Sequence, residues 1–366
     1  MSESTPRGTS FLVLETQFGN IGDALINREL LQLLRAHGTL CVDTGAAPDW
    51  FVRMLALPDD ARRVQGRGRL LRAMLGERLR GQPAYFFFLP GGIVGELSLR
   101  QFVRKTLLLA LFFGLRLAGV RFCHLGVSYE RLGPRHAAYL RLKQALMHAF
   151  YVRDRRSAAL LQSHRVRTSG VLPDLAFNLA RRAPPRAGGL GAVGLSFRTD
   201  QHPGQYERVL AAVQTLRAAL PAGVACHLVV QVEHDQPGMA RLAQHLAQTG
   251  VAVRLVEETR DLERLQAHYA GLDLVISNRL HVLLLAASVG CQVLACVDER
   301  NEKIVGLLES LGREDLLLPM AGLDRAAVAR ALAAPRLDAG AQRDALRAGV
   351  ARIFDTGEPV TAGARP

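Results

Sequence analysis

Short runs that are apolar at nearly every position alternate along this chain with segments whose apolar residues recur every three to four positions. Few architectures accept that alternation. The apolar runs are FLVL (11–14), AYFFFL (84–89), VRFCHLGVS (120–128), AFYV (149–152), AVGLSF (192–197), CHLVVQV (226–232), VAVRLV (251–256), LDLVIS (272–277) and CQVLACV (291–297). Amphipathic stretches such as 24–38, 135–149, 155–164, 206–220 and 261–271 lie between them. Strands that are apolar on both faces need cover on both faces, the condition of a parallel sheet flanked by helices. The pattern pauses at RRAPPRAGGLG (181–191), where paired prolines and glycines can continue neither a helix nor a central strand. The expectation is an α/β protein with two Rossmann-like, doubly wound domains, 1–182 and 190–320, facing across a cleft, and an Ala/Arg-rich helical tail over 321–366. Ligands of such sheets bind at the C-terminal ends of the strands. Two further segments carry expectations: the Arg-rich stretch 48–82 reads as exposed helix and loop, and FVRKTLLLALFFGLRLA (102–118) reads as a core helix, the alternative being that it and the Arg-rich 52–80 meet a membrane surface.

With 49% apolar and 22% charged residues in 366, the chain can bury two sizeable cores, which excludes disorder, collagen and small disulfide scaffolds. Lys and Arg number 46 against 33 Asp and Glu, and the only lysines are Lys105, Lys143 and Lys303. Such an excess suits an acidic partner: phosphate, an anionic polysaccharide, or the inner face of a membrane. Nucleic acid is not expected, because the arginines are not interleaved with aromatics, which make up only 6% of the chain. Cys41, Cys123, Cys226, Cys291 and Cys296 contain no CxxC pair and read as buried free thiols of a reducing compartment. The first residues, MSESTPRGTSFLVLE, lack the layout of a signal peptide. The longest apolar run, 107–115, is about half of what a bilayer span requires. A cytoplasmic protein is expected, with peripheral contact at the inner face of the membrane left open.

Four motifs follow strands. FGNIGDALI (18–26) opens a helix. Its glycines allow a tight turn, and the helix start offers N–H groups to an anion or sugar. Asp23 either caps that helix or accepts from a substrate hydroxyl. LPGGIVGE (89–96) sets Gly91 and Gly92 where backbone amides could meet a ligand, or forms an ordinary turn. In YVRDRRSAALL (151–161), Arg153 or Arg156 could fork onto a carboxylate or phosphate, unless Asp154 takes a neighbouring arginine. In DLVISNRLHVLLLAASVGCQVLACVDERNEKIVGLL (273–308), Arg279 and His281 stand at the start of an otherwise apolar helix, and Lys303 follows the next strand. Burial of either group without a partner is costly, so a bound anion would explain the placement; the alternative for His281 is a hydrogen-bonded structural group. VEHDQPG (232–238) holds Glu233, His234 and Asp235 and reads as a loop at a ligand cleft's edge rather than a metal site. No metal site is expected. No GxGxxG, P-loop, GxSxG or kinase motif occurs.

The ordered set resembles the polysaccharide pyruvyl transferase family. It comprises N-x-G-D (Asn20, Gly22, Asp23), the strand followed by Gly91 and Gly92, the Gly126-to-Pro134 segment, V-R-D-x-x-S (Val152 to Ser157), D-x-A-F (Asp174 to Phe177), and R-L-H-V (Arg279 to Val282) with Lys303 downstream. These motifs span roughly residues 11–312. The resemblance implies two Rossmann-like domains like those of a two-domain (GT-B-like) glycosyltransferase, and transfer of the pyruvyl group of phosphoenolpyruvate onto sugar hydroxyls as a cyclic ketal. The acceptor would be a bacterial-type exo- or cell-surface polysaccharide or its lipid-linked oligosaccharide precursor. No cofactor is implied, phosphoenolpyruvate being the donor substrate. Its carboxylate and phosphate need fixed cations, which Arg279, Arg153 and Lys303 can provide. His281 would protonate the methylene carbon, and Asp23, or else Asp174, would act on the acceptor hydroxyl. Asn20, Gly22, Gly91 and Gly92 complete the expected binding set, with the acceptor on the N-terminal domain and the donor on the C-terminal one. Two alternatives stay open: a glycosyltransferase using a nucleotide-sugar donor, and a non-catalytic component of a polysaccharide assembly complex at the membrane surface.

Overall fold

The structure, a computed structural model, describes residues 8–179, 189–298 and 301–355. It divides into two compact units. The first comprises residues 1–16, 26–178 and 344–366, and the second residues 17–25 and 179–343. The proline–glycine segment read as a linker lies largely outside the described residues.

The first unit contains β1 (Thr9–Val13), most of α1 (Ile21–Arg35), β2 (Thr39–Asp43), α2 (Asp49–Met54), β3 (Arg62–Val64), α3 (Arg67–Leu79), β4 (Ala84–Phe88), β5 (Gly91–Gly95) and α4 (Leu99–Leu117). It continues with β6 (Val120–Leu132), α5 (Pro134–Gln144), β7 (Met147–Val152), α6 (Arg155–Ser163) and β8 (Gly170–Val171). Its strands run β3-β2-β1-β4-β6-β7-β8, with β5 also paired to β6, and every pairing is parallel. One apolar cluster joins Leu70 and Met74 of α3, Leu109 and Leu115 of α4 and Leu161 of α6 to Phe11, Phe122 and Phe150 of the strands.

The second unit contains β9 (Ala192–Ser196), α7 (Gln205–Ala219), β10 (Ala225–Val230), α8 (Gln236–Gln248), β11 (Val253–Glu257), α9 (Leu262–Ala270), β12 (Leu274–Ser277) and α10 (Leu280–Ser288). Then come β13 (Gln292–Val297), α11 (Glu302–Ser310), β14 (Leu317–Pro319) and α12 (Arg325–Ala333); α13 (Ala339–Asp355) begins here and ends in the first unit. The sheet is parallel in the order β11-β10-β9-β12-β13-β14. The strand order thus reverses between β9 and β12, the switch point at which such sheets open a ligand crevice. Of α10, every residue except His281 is buried, because strands β12 and β13 lie against it.

All nine apolar runs are strands. The two-domain parallel α/β reading therefore holds, and several local expectations are corrected. Gly91 and Gly92 do not make a plain turn; they start β5 and pair with Val127 and Ser128. The stretch 48–82 is not wholly exposed, since Phe51, Leu70 and Met74 are buried and β3 pairs with β2. The expected separate tail is shared out: α12 belongs to the second unit, and the end of α13 packs into the first through Leu346, Val350, Ile353 and Phe354. The helix expected in the core, α4, buries only Leu109 and Leu115.

The five cysteines are buried and free. Burial pushes the Cys296 thiol up to about 12, so it stays protonated and unreactive at neutral pH.

Candidate functional site

In the second unit, the turn that opens α1 meets the C-terminal ends of β10 and β12. Asn20 bridges Val232 in antiparallel fashion, and the Ile21 amide donates to the Gln231 carbonyl at 3.4 Å. The Glu233 amide in turn donates to the Gly19 carbonyl at 3.2 Å. Inside the turn, the Gly22 amide donates to Asn20 Oδ1 at 2.9 Å, and Asn20 Nδ2 donates to Asp23 Oδ1 at 3.4 Å. Glycine at position 22 is required by space. A Cβ there would stand 2.5 Å from His281 Nδ1 and 2.8 Å from the His281 Cβ. The N-x-G-D turn and the R-L-H-V helix start are therefore in van der Waals contact through Gly22 and His281, 259 residues apart (281 − 22).

Arg279 is held by two contacts and keeps one donor spare. Its amide donates to Ser277 Oγ at 2.9 Å, its Nη2 pairs with Asp235, and its Nε is buried with no hydrogen-bond partner among the described residues. Burial raises the Asp235 carboxyl above its usual range, and the Arg279 charge opposes that rise. Asn278 ties β12 to β9: the Arg198 amide donates to its Oδ1 at 2.7 Å, and its Nδ2 donates back to the Arg198 carbonyl at 2.9 Å. Asn301 Nδ2 donates to the Asn278 carbonyl at 3.3 Å and also caps α11, which brings the half-buried Lys303 to this end of the sheet. The three titratable side chains of the loop VEHDQPG are all partnered: Glu233 pairs with Arg260 at 2.9 Å, Asp235 pairs with Arg279, and His234 contacts Asp200. No three His, Cys, Asp or Glu side chains gather as a metal site among the described residues. Gln17, Gly19, Asn20, Val232, Glu233, His234 and Pro237 line an open pocket of about 510 Å³.

The remaining expected residues form a second constellation in the first unit. Arg153, 3% exposed, donates through Nη1 to Asp174 Oδ2 at 2.9 Å and through Nη2 to Ser128 Oγ at 2.8 Å. Asp174 Oδ1 accepts from the Ala176 amide at 3.0 Å. This differs from the expected fork onto a donor anion, because the guanidinium already has an internal carboxylate and hydroxyl. Ser128 pairs in register with Gly92, so Gly91, Gly92, Arg153 and Asp174 share one neighbourhood. Asp154 takes no arginine as its main partner but caps α6, accepting from the Ser157 amide at 2.6 Å. The structure thus gathers Asn20, Gly22, Asp23, Arg279, His281 and Lys303 in one unit and Gly91, Gly92, Arg153 and Asp174 in the other. Asn20, Gly22 and Asp23, expected on the N-terminal domain, belong to the second unit. Sequence reasoning missed Asp235 and Asn278 as partners, although their positions just past strands were the available signal.

Comparison with known proteins agrees with this layout. The chain resembles the UDP-GlcNAc 2-epimerase from Neisseria meningitidis bound to UDP-GlcNAc at 12% identity and a TM-score of 0.56, over 95% of this chain and all (100%) of that one. A glycosyltransferase from Rickettsia africae gives a TM-score of 0.55 at 10% identity, over 97% of this chain and 95% of that one. Anabaena HepE in complex with UDP-glucose gives 0.53 at 15% identity, over 96% of each chain. At such identities these likenesses establish the fold, a two-domain GT-B-like architecture, and nothing further. No curated protein matches the chain in sequence. The family model for polysaccharide pyruvyl transferase matches residues 20–300, which takes in both constellations except Lys303. The chain belongs to the polysaccharide pyruvyl transferase family.

Proposed function

We propose that the protein transfers the pyruvyl group of phosphoenolpyruvate to two hydroxyls of a sugar in an exo- or cell-surface polysaccharide or its lipid-linked precursor. The observation that carries this reading is the contact of the Asn20–Asp23 turn with His281, beside Arg279 and the pocket at Gln17 and Glu233. Phosphoenolpyruvate is a dianion or trianion, and Arg279 and Lys303 supply cations at this end of the second sheet. Arg279 keeps a buried Nε with no acceptor among the described residues, so Asp235 orients the guanidinium without exhausting its donors. His281 gives a proton to the methylene carbon of the donor while the acceptor hydroxyl attacks the phosphate-bearing carbon and loses its proton to Asp23. Breaking the carbon–oxygen bond releases inorganic phosphate, which takes away the proton held by Asp23, and the second hydroxyl closes the ketal, its proton going to the deprotonated His281. Cations held in place before reaction stabilise the charge of the departing phosphate. In the first unit, the Gly91 and Gly92 amides are the acceptor contacts, with Arg153 and Asp174 holding the adjacent Ser128 strand. The reaction belongs to the cytoplasm, in keeping with five buried thiols.

A phosphate-release assay with phosphoenolpyruvate and a panel of sugar acceptors tests the assignment. The His281→Gln protein should lose at least tenfold in turnover and keep its donor affinity. Turnover within tenfold of the parent protein removes His281 as the acid. A nucleotide-sugar donor is the competing reading, favoured only by the fold shared with proteins solved with UDP-glucose or UDP-GlcNAc.

A further inference from the structure

Helix α4 leaves its apolar side uncovered. Leu107 is 70% exposed, Phe113 53%, Leu111 48% and Leu117 74%. Val103, Leu107 and Leu111 recur every fourth residue and so form one stripe, which Leu108 widens. Contiguous exposed apolar area of this kind marks a binding surface on a water-soluble fold. The buried side of the same helix already has its partners, Leu109 and Leu115 lying in the core cluster, so the exposed stripe is surplus to folding.

Charge identifies the occupant. No Asp or Glu occurs from Leu97 to Tyr129, and Glu130 is the only acid between Leu97 and Arg153. Over the same span Arg100, Arg104, Lys105, Arg116, Arg135 and Arg141 are among nine cationic residues. Arg100 and Arg104 are exposed on α4 itself, and Arg141 is exposed beside exposed Leu142 on α5, which packs against α4. A second copy of the chain seated two-fold on this face would set arginines against arginines, with Glu96, already taken by the Leu97, Arg135 and His136 amides, as the carboxylate at its edge. An anionic lipid surface complements both features, taking the leucines into its acyl boundary and the guanidinium groups among its headgroups. We propose that α4, with α5 beside it, is a peripheral docking face for an anionic membrane. No described helix is long and apolar enough to cross a membrane, so α4 would lie in the interface. This inference does not rest on the pyruvyl-transfer reading.

Co-sedimentation of the full chain with vesicles of phosphatidylcholine, alone or with one third phosphatidylglycerol, tests it. The expected result is at least tenfold stronger binding to the anionic vesicles, weakening as salt rises. The double variant Leu107→Glu, Leu111→Glu changes only exposed positions and should abolish binding with circular dichroism unchanged. The variant Arg100→Gln, Arg104→Gln should weaken anionic binding several-fold and leave the weak phosphatidylcholine binding as it is. Absence of binding to anionic vesicles, or binding that survives the two glutamates, overturns the proposal. So does a dimer in light scattering that the glutamates convert to monomer without any vesicle binding, which would give the face to a second copy.

Discussion

At the scale of single residues, the strongest statement concerns Gly22. Its missing side chain is filled by His281, whose Nδ1, Cβ and Cγ would all lie within 2.9 Å of an added Cβ. Gly22→Ala must push the imidazole aside. We expect at least a tenfold loss of turnover with a stability change of about 1–3 kcal/mol, the usual cost of overpacking, read by urea unfolding. Unchanged turnover would mean that the position of His281 does not matter. Lys143 gives a second residue-scale prediction. It is buried, with Nζ 3.2 Å from His124 Nδ1 and 3.8 Å from the centre of the Phe88 ring. Burial, with Lys105 adding to it, lowers Lys143 from 10.5 to about 7. Between those values the unfolded chain binds the proton that the folded chain refuses, so stability rises with pH from about 7 to about 10.5. Burial also lowers His124, His136 and His148 below 6.5, which carries the same trend into mild acid. Lys143→Met should therefore raise the unfolding midpoint most at pH 7 and below, by on the order of 1–3 kcal/mol of stability, and hardly at all near pH 10.5. A gain that is independent of pH would contradict the burial of a charge as its cause.

At the scale of elements, α13 is the piece that chain order hides. It lies beyond the second sheet in sequence, yet Val350, Ile353 and Phe354 are buried in the first unit. There Phe354 sits 4.8 Å from the Tyr85 ring and 4.7 Å from the His37 ring, and His148 Nε2 lies 3.1 Å from the Ile353 carbonyl. Ile353→Ala is expected to cost about 2–4 kcal/mol, within the range for opening a cavity in a core, by denaturant midpoint. A loss below about 0.5 kcal/mol would show that the helix is not part of that core. Which elements were legible follows from the same physics. Central strands such as LDLVIS announce themselves because both faces are covered. Edge and short strands, β3 with its two exposed arginines and β8 with two residues, bury too little to leave a pattern. The helix α4 was misread because apolar composition reports hydrophobicity and not what covers it. Of the candidate site, the glycines, Arg279 and His281 were legible as rule-breaking residues beside strands. Asp235 was seen only as part of a loop, and the Arg153–Asp174 pair could not be read from residues 21 apart in sequence.

At the scale of the whole molecule, two parallel sheets carry two residue sets, and the family model reaches both, stopping short only of Lys303. The central claim is that the set in the second unit receives phosphoenolpyruvate. Calorimetric titration of the full chain with phosphoenolpyruvate, run beside UDP-glucose and UDP-GlcNAc, tests it most directly. The account predicts saturable binding of phosphoenolpyruvate that falls at least tenfold in Arg279→Ala and is retained in His281→Gln, with no saturable binding of either nucleotide sugar. Binding of a nucleotide sugar in place of phosphoenolpyruvate, or phosphoenolpyruvate affinity indifferent to Arg279, would contradict it.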